Sequence, residues 1–405
     1  MQDSTNKSDI DYNYLWNHIN NLPLVTLVVA ASRPGSDFLH SLFDSHPEIL
    51  TFDGPLPFDT FYDKAFTIWG TKINMKIKQR LNTISPSDFF YEFAWTHVHK
   101  FYSNYDNYEK KDKLGEKGDL FNKIDINSFV NHAIKLLRSN ELNRRNALLA
   151  IYGAFALARG EDVGLKKVLL HNVHHIKRID YLIQDFKEIK IICAVRDPRS
   201  YFSNIQSLWD YTPSIMSPAA NYDILKRVLD ECTPVTEKKN CDIRVILHER
   251  LHKEPKTVMK NVCNWLSILE DPSLYESTWG GLSWRGDDMS TGISSVFNPN
   301  IYEISKERWN KIINFIDGII IESLMYNKIK QYGYFQSYSI VHYIFVPLLI
   351  ILPNINELRI LFYSFRENRY KDIIKWPYFL IKRYMLMYKR LIRCIFGMDS
   401  VISVL

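Results

Sequence analysis

Two segments of this chain place a guanidinium in a turn between an apolar run and a helix-like stretch. Arg33 stands in Ser32-Arg33-Pro34-Gly35-Ser36. It follows the run Val25 to Ala30 and precedes Phe38, Leu39, Leu42 and Phe43, which recur at three- and four-residue steps. Arg196 stands in Arg196-Asp197-Pro198-Arg199-Ser200, directly after Ile191 to Val195. A strand, a glycine-bearing turn and a helix start aim free backbone N–H groups at one point, which is the chemistry of an anion site. Arginine adds fixed charge and a fork of donors suited to phosphate or sulfate. Two such turns on one sheet suit a ligand with anionic groups at both ends. Each arginine alone is equally compatible with a surface ion pair.

The elements that must position these turns can be read from the pattern. Val25 to Ala30 is apolar without alternation, as in a strand buried on both faces of a parallel sheet. Lys167 to His171, Lys190 to Val195 and Asp242 to Leu251 supply further strands, and 175–186 has helical spacing between the first two of these. That order implies a right-handed parallel crossover. Helices are predicted over 254–269 and 305–327, the latter with an approximate capping box at Ser305. The fold class is therefore α/β, a central, mainly parallel sheet flanked by helices. Residues 1–22 read as a polar lead-in and 23–335 as the α/β domain, with an aromatic-rich helical insert at about 60–160. Residues 336–405 read as a helical tail. In such sheets ligands bind beyond the carboxyl ends of the strands, where both turns lie.

Composition narrows the function classes. The chain has 405 residues, 46% hydrophobic and 24% charged, which suits a large folded domain with an appendage. Its formal charge of +6 is accounted for between Ser339 and Leu405, where ten Lys or Arg face four acids. A neutral body with a basic tail argues against nucleic-acid binding. The five cysteines, at 193, 232, 241, 263 and 394, form no C-x-x-C and suggest a reducing compartment. The polar, acidic N-terminus does not resemble a signal peptide. His171, His174 and His175 lack a nearby Cys and a matched carboxylate, so no metal site is expected. No G-x-x-x-x-G-K-[ST] loop supports magnesium-dependent nucleotide hydrolysis.

Taken together, "SRPGSDFLHSLFDSHPEI" and "IICAVRDPRSYFS" resemble the two signature elements of the sulfotransferases that use 3'-phosphoadenosine 5'-phosphosulfate (PAPS). The resemblance continues through "VILHERLHKEPKTVMKNVCNWLSI" and "WGGLSWRGDDMSTG", covering roughly residues 24 to 335. It implies a P-loop-like fold and a sulfuryl-transfer activity with PAPS as donor, its spent nucleotide as product, and no metal. Arg33, Pro34, Gly35, Ser36, Asp37 and Phe38 would then form the 5'-phosphosulfate side of the site. Arg196, Ser203 and Asn204 would hold the 3'-phosphate, and Arg285 would reach the nucleotide. Arg33, Asp53, His171 and Ser290 would be the catalytic set. In that set Asp53, seven residues after His46, is the base, with Asp59 as fallback. His171 occupies the place where the family commonly has a lysine. Asp53-Gly54 is equally a turn former. Asp37 departs from the pattern by putting a carboxylate beside an anion site, unless it faces away.

The tail suggests a location. Residues 339 to 355, "SIVHYIFVPLLIILPNI", are seventeen uncharged residues with two prolines, short of the roughly twenty a spanning helix needs. Residues 376–398 then interleave aromatic and aliphatic side chains with basic pairs, a composition suited to an anionic membrane interface. The expectation is a cytoplasmic enzyme, peripheral or monotopic on the membrane face. It would transfer sulfuryl to a hydroxyl of a lipid-linked saccharide, glycolipid or similar amphiphile. A basic helix packed on the body, or an oligomer contact, is the alternative for the tail. A catalytically inactive nucleotide-binding scaffold, or a P-loop kinase, is the alternative for the whole.

Overall fold

The computed structural model describes residues 10–29, 35–63, 67–68, 71–72, 84–105, 114–138, 140–203, 216–231, 241–285, 296–334, 344–397 and 403–405. In chain order the elements used below are α1 (Tyr12–Asn20), β1 (Leu24–Val29), α2 (Ser36–Ser41), β2 (Ile49–Thr51), α3 (Pro86–Thr96), α4 (Ile126–Leu137), α5 (Arg144–Ala158), β3 (Val168–His175) and β4 (Ile189–Val195). They continue with α6 (Pro218–Glu231), β5 (Cys241–Leu247), α7 (His248–Lys253), α8 (Pro255–Leu266), α9 (Ile301–Ile312), α10 (Phe315–Leu324), α11 (Val346–Ile351), α12 (Ile355–Arg366), α13 (Tyr370–Ile395) and β6 (Ser403–Val404).

The six strands form one sheet in the order β6-β5-β4-β1-β3-β2, and every pairing within it is parallel. β1 is buried along its whole length. Its side chains alternate between two cores, as the strand period requires. Leu24 and Val28 join one, together with the aromatic side chains of α3 to α5. Val25 and Leu27 join the other, with Val258, Met259 and Val262 of α8. The chain leaves β1 toward β2 on one side and β4 toward β5 on the other, so a topological switch point lies between β1 and β4.

Several details differ from the sequence reading. The short strand β2 lies in a proline-punctuated segment where no strand is predicted, and β3 runs four residues beyond His171. That extension carries a bulge: the register with β1 shifts between Leu27 and Val28, and His174 adopts φ +62°. The helix α9 begins at Ile301 rather than at Ser305.

The tail is not a separate appendage. α13 packs on α6 and α10, and residues 403–404 add an edge strand to β5. Val346–Arg366 is long and apolar enough by composition to cross a bilayer, but it breaks between α11 and α12 around Pro353. At that break Arg383 of α13 donates to the carbonyls of Ile350 and Leu352, both at 2.8 Å.

Candidate active site

β1 and β4 are neighbours in register, with Val29 opposite Ala194, so the two strands end side by side. Arg33 and Pro34 lie outside the described residues. Gly35 follows them as the residue before α2, at φ +83°. A Cβ there would stand 2.3 Å from Nδ1 of His248, the first residue of α7 after β5. Glycine is thus required twice, by the left-handed backbone and by the close approach. Ser36 is buried. Asp37 is exposed in the first turn of α2. Phe38 stacks on His252 with ring centroids 4.6 Å apart and meets Phe297 edge-on at 5.6 Å.

Arg196 sits on the other side of α7. Its Nε lies 3.7 Å from Glu249 Oε1, beyond hydrogen-bond range, and is buried without a hydrogen bond. Its Nη2 donates to Ser305 Oγ, so the serine read as a helix cap is instead a partner of this arginine. Burial pushes the His248 imidazole well below its usual pKa, and the neighbouring His252 and the charge of Arg196 push the same way. α7 therefore connects the Gly35 turn to the Arg196 turn through neutral His248.

The rest of the β4 turn is a buried ion network. Arg199 pairs with Asp197 (Nη2 to Oδ2, 2.7 Å) and with Glu322 of α10 (Nη1 to Oε2, 2.9 Å), and lies over the ring of Trp309 at 4.5 Å. Burial works against its charge, but hydrogen bonding to Asp197 and the fields of Asp197 and Glu322 more than offset this and raise its pKa. Glu249 accepts from the Asp197 backbone N–H at 3.1 Å and from the Tyr334 hydroxyl at 2.7 Å. Burial raises the pKa of Glu249 against the opposing charge of Arg196. None of Arg199, Glu249, His248, Glu322 or Tyr334 was singled out from the sequence. An acidic residue two positions beyond a strand end, as Glu249 is, was the available signal.

Two expected site residues are corrected. His171 is fully buried, paired with Thr26 in mid-sheet. That is three residues short of the end of β1, or about 10 Å at the rise of a strand. Its ring nitrogens are bracketed by the hydroxyls of Tyr152 (2.7 Å) and Tyr181 (2.5 Å). Burial, helped by nearby His40, lowers its pKa to about 3, so it is a neutral core histidine and not a substitute for a cationic lysine. Ser203 is buried and donates its hydroxyl to the Ser200 carbonyl at 2.9 Å, so it turns into its own helix and not toward a phosphate. Asn204 and Ser290 lie outside the described residues. Arg285 is exposed, just past the hairpin of Thr278–Trp279 with Leu282–Ser283. That hairpin is fixed beside α2, since Asp44 accepts from the Gly281 N–H at 2.9 Å and Ser41 meets Ser277 at 2.7 Å.

Asp53 is buried just beyond β2 and precedes Gly54, which has φ +70°. The turn-forming reading of Asp53-Gly54 thus holds for the backbone. Burial works against the charge of Arg159, but the surrounding Asp44, Glu161 and Asp53 outweigh it and raise its pKa. The other carboxylate, Asp59, lies 3.7 Å from Arg178.

A family model described as the sulfotransferase family matches residues 26–272, which contain both turns, α7 and α8. No curated protein matches the chain. Among solved structures, the sulfotransferase domain from the curacin biosynthetic pathway is similar at 15% identity and a TM-score of 0.41, covering 78% of this chain and 99% of that one. The sulfotransferase domain from the Synechococcus PCC 7002 olefin synthase is similar at 14% identity and a TM-score of 0.38, covering 78% and 96%. Sulfotransferase STF9 from Mycobacterium avium is similar at 12% identity and a TM-score of 0.32, covering 65% and 69%. With well over half its length matched by the family model, the chain belongs to the sulfotransferase family.

Proposed function

We propose that the protein transfers the sulfuryl group of PAPS to a hydroxyl of an amphiphilic acceptor, such as a lipid-linked saccharide or glycolipid. The observation that carries this reading is the convergence on α7 of the turns after β1 and β4. Gly35 packs against His248, and Arg196 sits close enough to influence His248 and Glu249. Three features fit a donor with anionic groups at both ends of an adenosine. They are the glycine turn with no room for a side chain, the buried Arg196 Nε without a hydrogen bond, and the half-buried ring of Phe38.

In this reading Arg33 and the backbone of Gly35 and Ser36 hold the 5'-phosphosulfate. Arg196 takes the 3'-phosphate, and Phe38 offers an aromatic face to the base. Sulfuryl transfer passes through a loose transition state with charge on peripheral oxygens, so fixed cations and N–H donors supply most of the stabilisation. The sulfur–oxygen bond to the 5'-phosphate breaks as one to the acceptor oxygen forms, and Asp53 takes the acceptor proton. Ser290 and Arg285 would complete the third side. The burial of Arg199 among Asp197 and Glu322 supports a scaffold role: it fixes the turn from which Arg196 extends. The exposed apolar surface of the tail motivates the amphiphilic acceptor.

The test is transfer of labelled sulfate from PAPS to a panel of glycolipid and soluble saccharide acceptors by the full chain. Incorporation into the lipid acceptors, lost in Arg33→Ala, is expected. A chain that binds the nucleotide but transfers to none of them would instead be the inactive scaffold.

A further inference from the structure

α13 has two opposite faces, only one of which the protein covers. Taking about 100° per residue, Arg383, Met387, Arg390, Leu391 and Cys394 form one sector, and all five are buried against the body. Ile374, Tyr378, Ile381, Met385 and Ile392 lie within about 60° of one another on the far side. All of them are exposed, Ile374 to 77%. Lys371, Lys375, Lys382, Lys389 and Arg393 run along one flank of that apolar stripe.

The neighbouring helices carry exposed apolar side chains of their own. Seventeen of the twenty-nine exposed large apolar side chains among the described residues lie between Ile344 and Phe396, including Leu348, Ile355, Phe362 and Phe365 of α11 and α12. A clustered apolar surface of this kind marks an interaction face, whereas isolated exposed residues do not. The surface is held by bonds to open backbone groups. The Tyr384 hydroxyl donates to Ile351 O, Trp376 Nε1 to Glu357 O at 2.9 Å, and Arg390 Nε to Leu324 O at 3.0 Å. The described acids of the segment are each paired with an arginine: Glu357 with buried Arg383 at 3.0 Å, Glu367 with exposed Arg366 at 2.9 Å, and Asp372 with Arg369. The flank of α13 therefore presents positive charge beside its apolar stripe.

We infer that this face of α13 docks in the plane of an anionic lipid bilayer, with the apolar stripe at acyl-chain level and the lysine flank at the phosphates. Charge complementarity selects this occupant. An apolar stripe bordered by lysines suits an anionic interface, where each cation near the surface adds to binding. The break at Pro353, where Arg383 and Tyr384 take up the open carbonyls of residues 350–352, suits a helical hairpin lying on the surface more than one crossing it.

The test is flotation of the full chain with vesicles of phosphatidylcholine, alone or mixed with phosphatidylglycerol, without donor or acceptor. It therefore reads docking independently of sulfuryl transfer. Strong flotation is expected on the mixed vesicles and weaker flotation on the neutral ones. The variant Ile374→Glu/Ile381→Glu/Met385→Glu should lose binding to both about a hundredfold or more. The variant Lys371→Gln/Lys375→Gln/Lys389→Gln should lose about a hundredfold on mixed vesicles only. These side chains are exposed, so circular dichroism should be unchanged. No flotation of the parent chain, or equal flotation of the parent and both variants, overturns the inference. So does self-association without vesicle binding that the glutamates abolish, which would assign the face to a second copy of the chain.

Discussion

Strands β3 and β4 flank β1 on either side, yet they use their polar residues in opposite ways. In β3 the one ionisable side chain aligned with the middle of β1, His171, has both nitrogens taken by tyrosine hydroxyls and is neutral. Past the end of β4, Arg199 is saturated by two carboxylates, whereas Arg196, three residues earlier, meets its carboxylate only at 3.7 Å. A buried polar group with every valence satisfied belongs to the scaffold, and one held in place but under-partnered is where a ligand gains most. Residue type does not separate the two; saturation and position along the strand do.

The largest expected effect attacks the saturated side. Arg199→Ala leaves Asp197 and Glu322 buried without their cation and should cost about 3–5 kcal/mol of unfolding free energy, read from urea melts. A loss below about 1 kcal/mol would mean that the network does not stabilise the turn. Asp53→Asn should lower turnover about a hundredfold or more with nucleotide binding intact. Unchanged turnover would return Asp53 to a turn-forming role. Gly35→Ala forces a Cβ toward His248 in a left-handed backbone. It should destabilise the turn by about 1–3 kcal/mol, with nucleotide affinity falling more than global stability.

The smallest effect is in the pH dependence. His171 and His252 are held near pKa values of about 3 and about 4, against an ordinary 6.5, by burial first, with His40 and Arg196 respectively acting in the same sense. The unfolded chain takes up protons below 6.5 that the folded chain refuses. Stability is therefore full above about pH 6.5 and falls as the pH drops, by about 1.4 kcal/mol per unit for each histidine. His171→Gln, which keeps an amide for the two tyrosines, should lower that slope by one histidine's share, about 1.4 kcal/mol per unit, in melts at pH 7 to 5. An unaltered slope would contradict the assignment of His171 as a neutral core residue.

The strands that carry the site were legible because β1, nearly all of β4 and the start of β3 are buried apolar runs, and β5 ends in one at Val245–Leu247. The two turns were legible because glycine, proline and arginine interrupt those runs abruptly. β2 was hidden by its length of three residues inside a proline-punctuated segment. His171 was misplaced because motif spacing does not report how far a strand continues: β3 runs on past it through a bulge. The Arg199 network was hidden because Glu322, which closes it, is 123 residues away in sequence, although Asp197 is only two. In the tail, aromatic and aliphatic residues interleaved with basic pairs do not indicate which face of α13 the body covers. Arg383 and Arg390 look solvent-facing in sequence, yet they are buried on backbone carbonyls.

The most direct test of the central reading is calorimetric titration of adenosine 3',5'-bisphosphate into the full chain and into Arg196→Ala, with adenosine 5'-monophosphate as the comparison ligand. The account expects the bisphosphate to bind the parent chain and to lose about a hundredfold in Arg196→Ala, the worth of a charge-assisted phosphate contact. The monophosphate should bind weakly to both. Equal binding of the two nucleotides, or a bisphosphate affinity indifferent to Arg196, would contradict it.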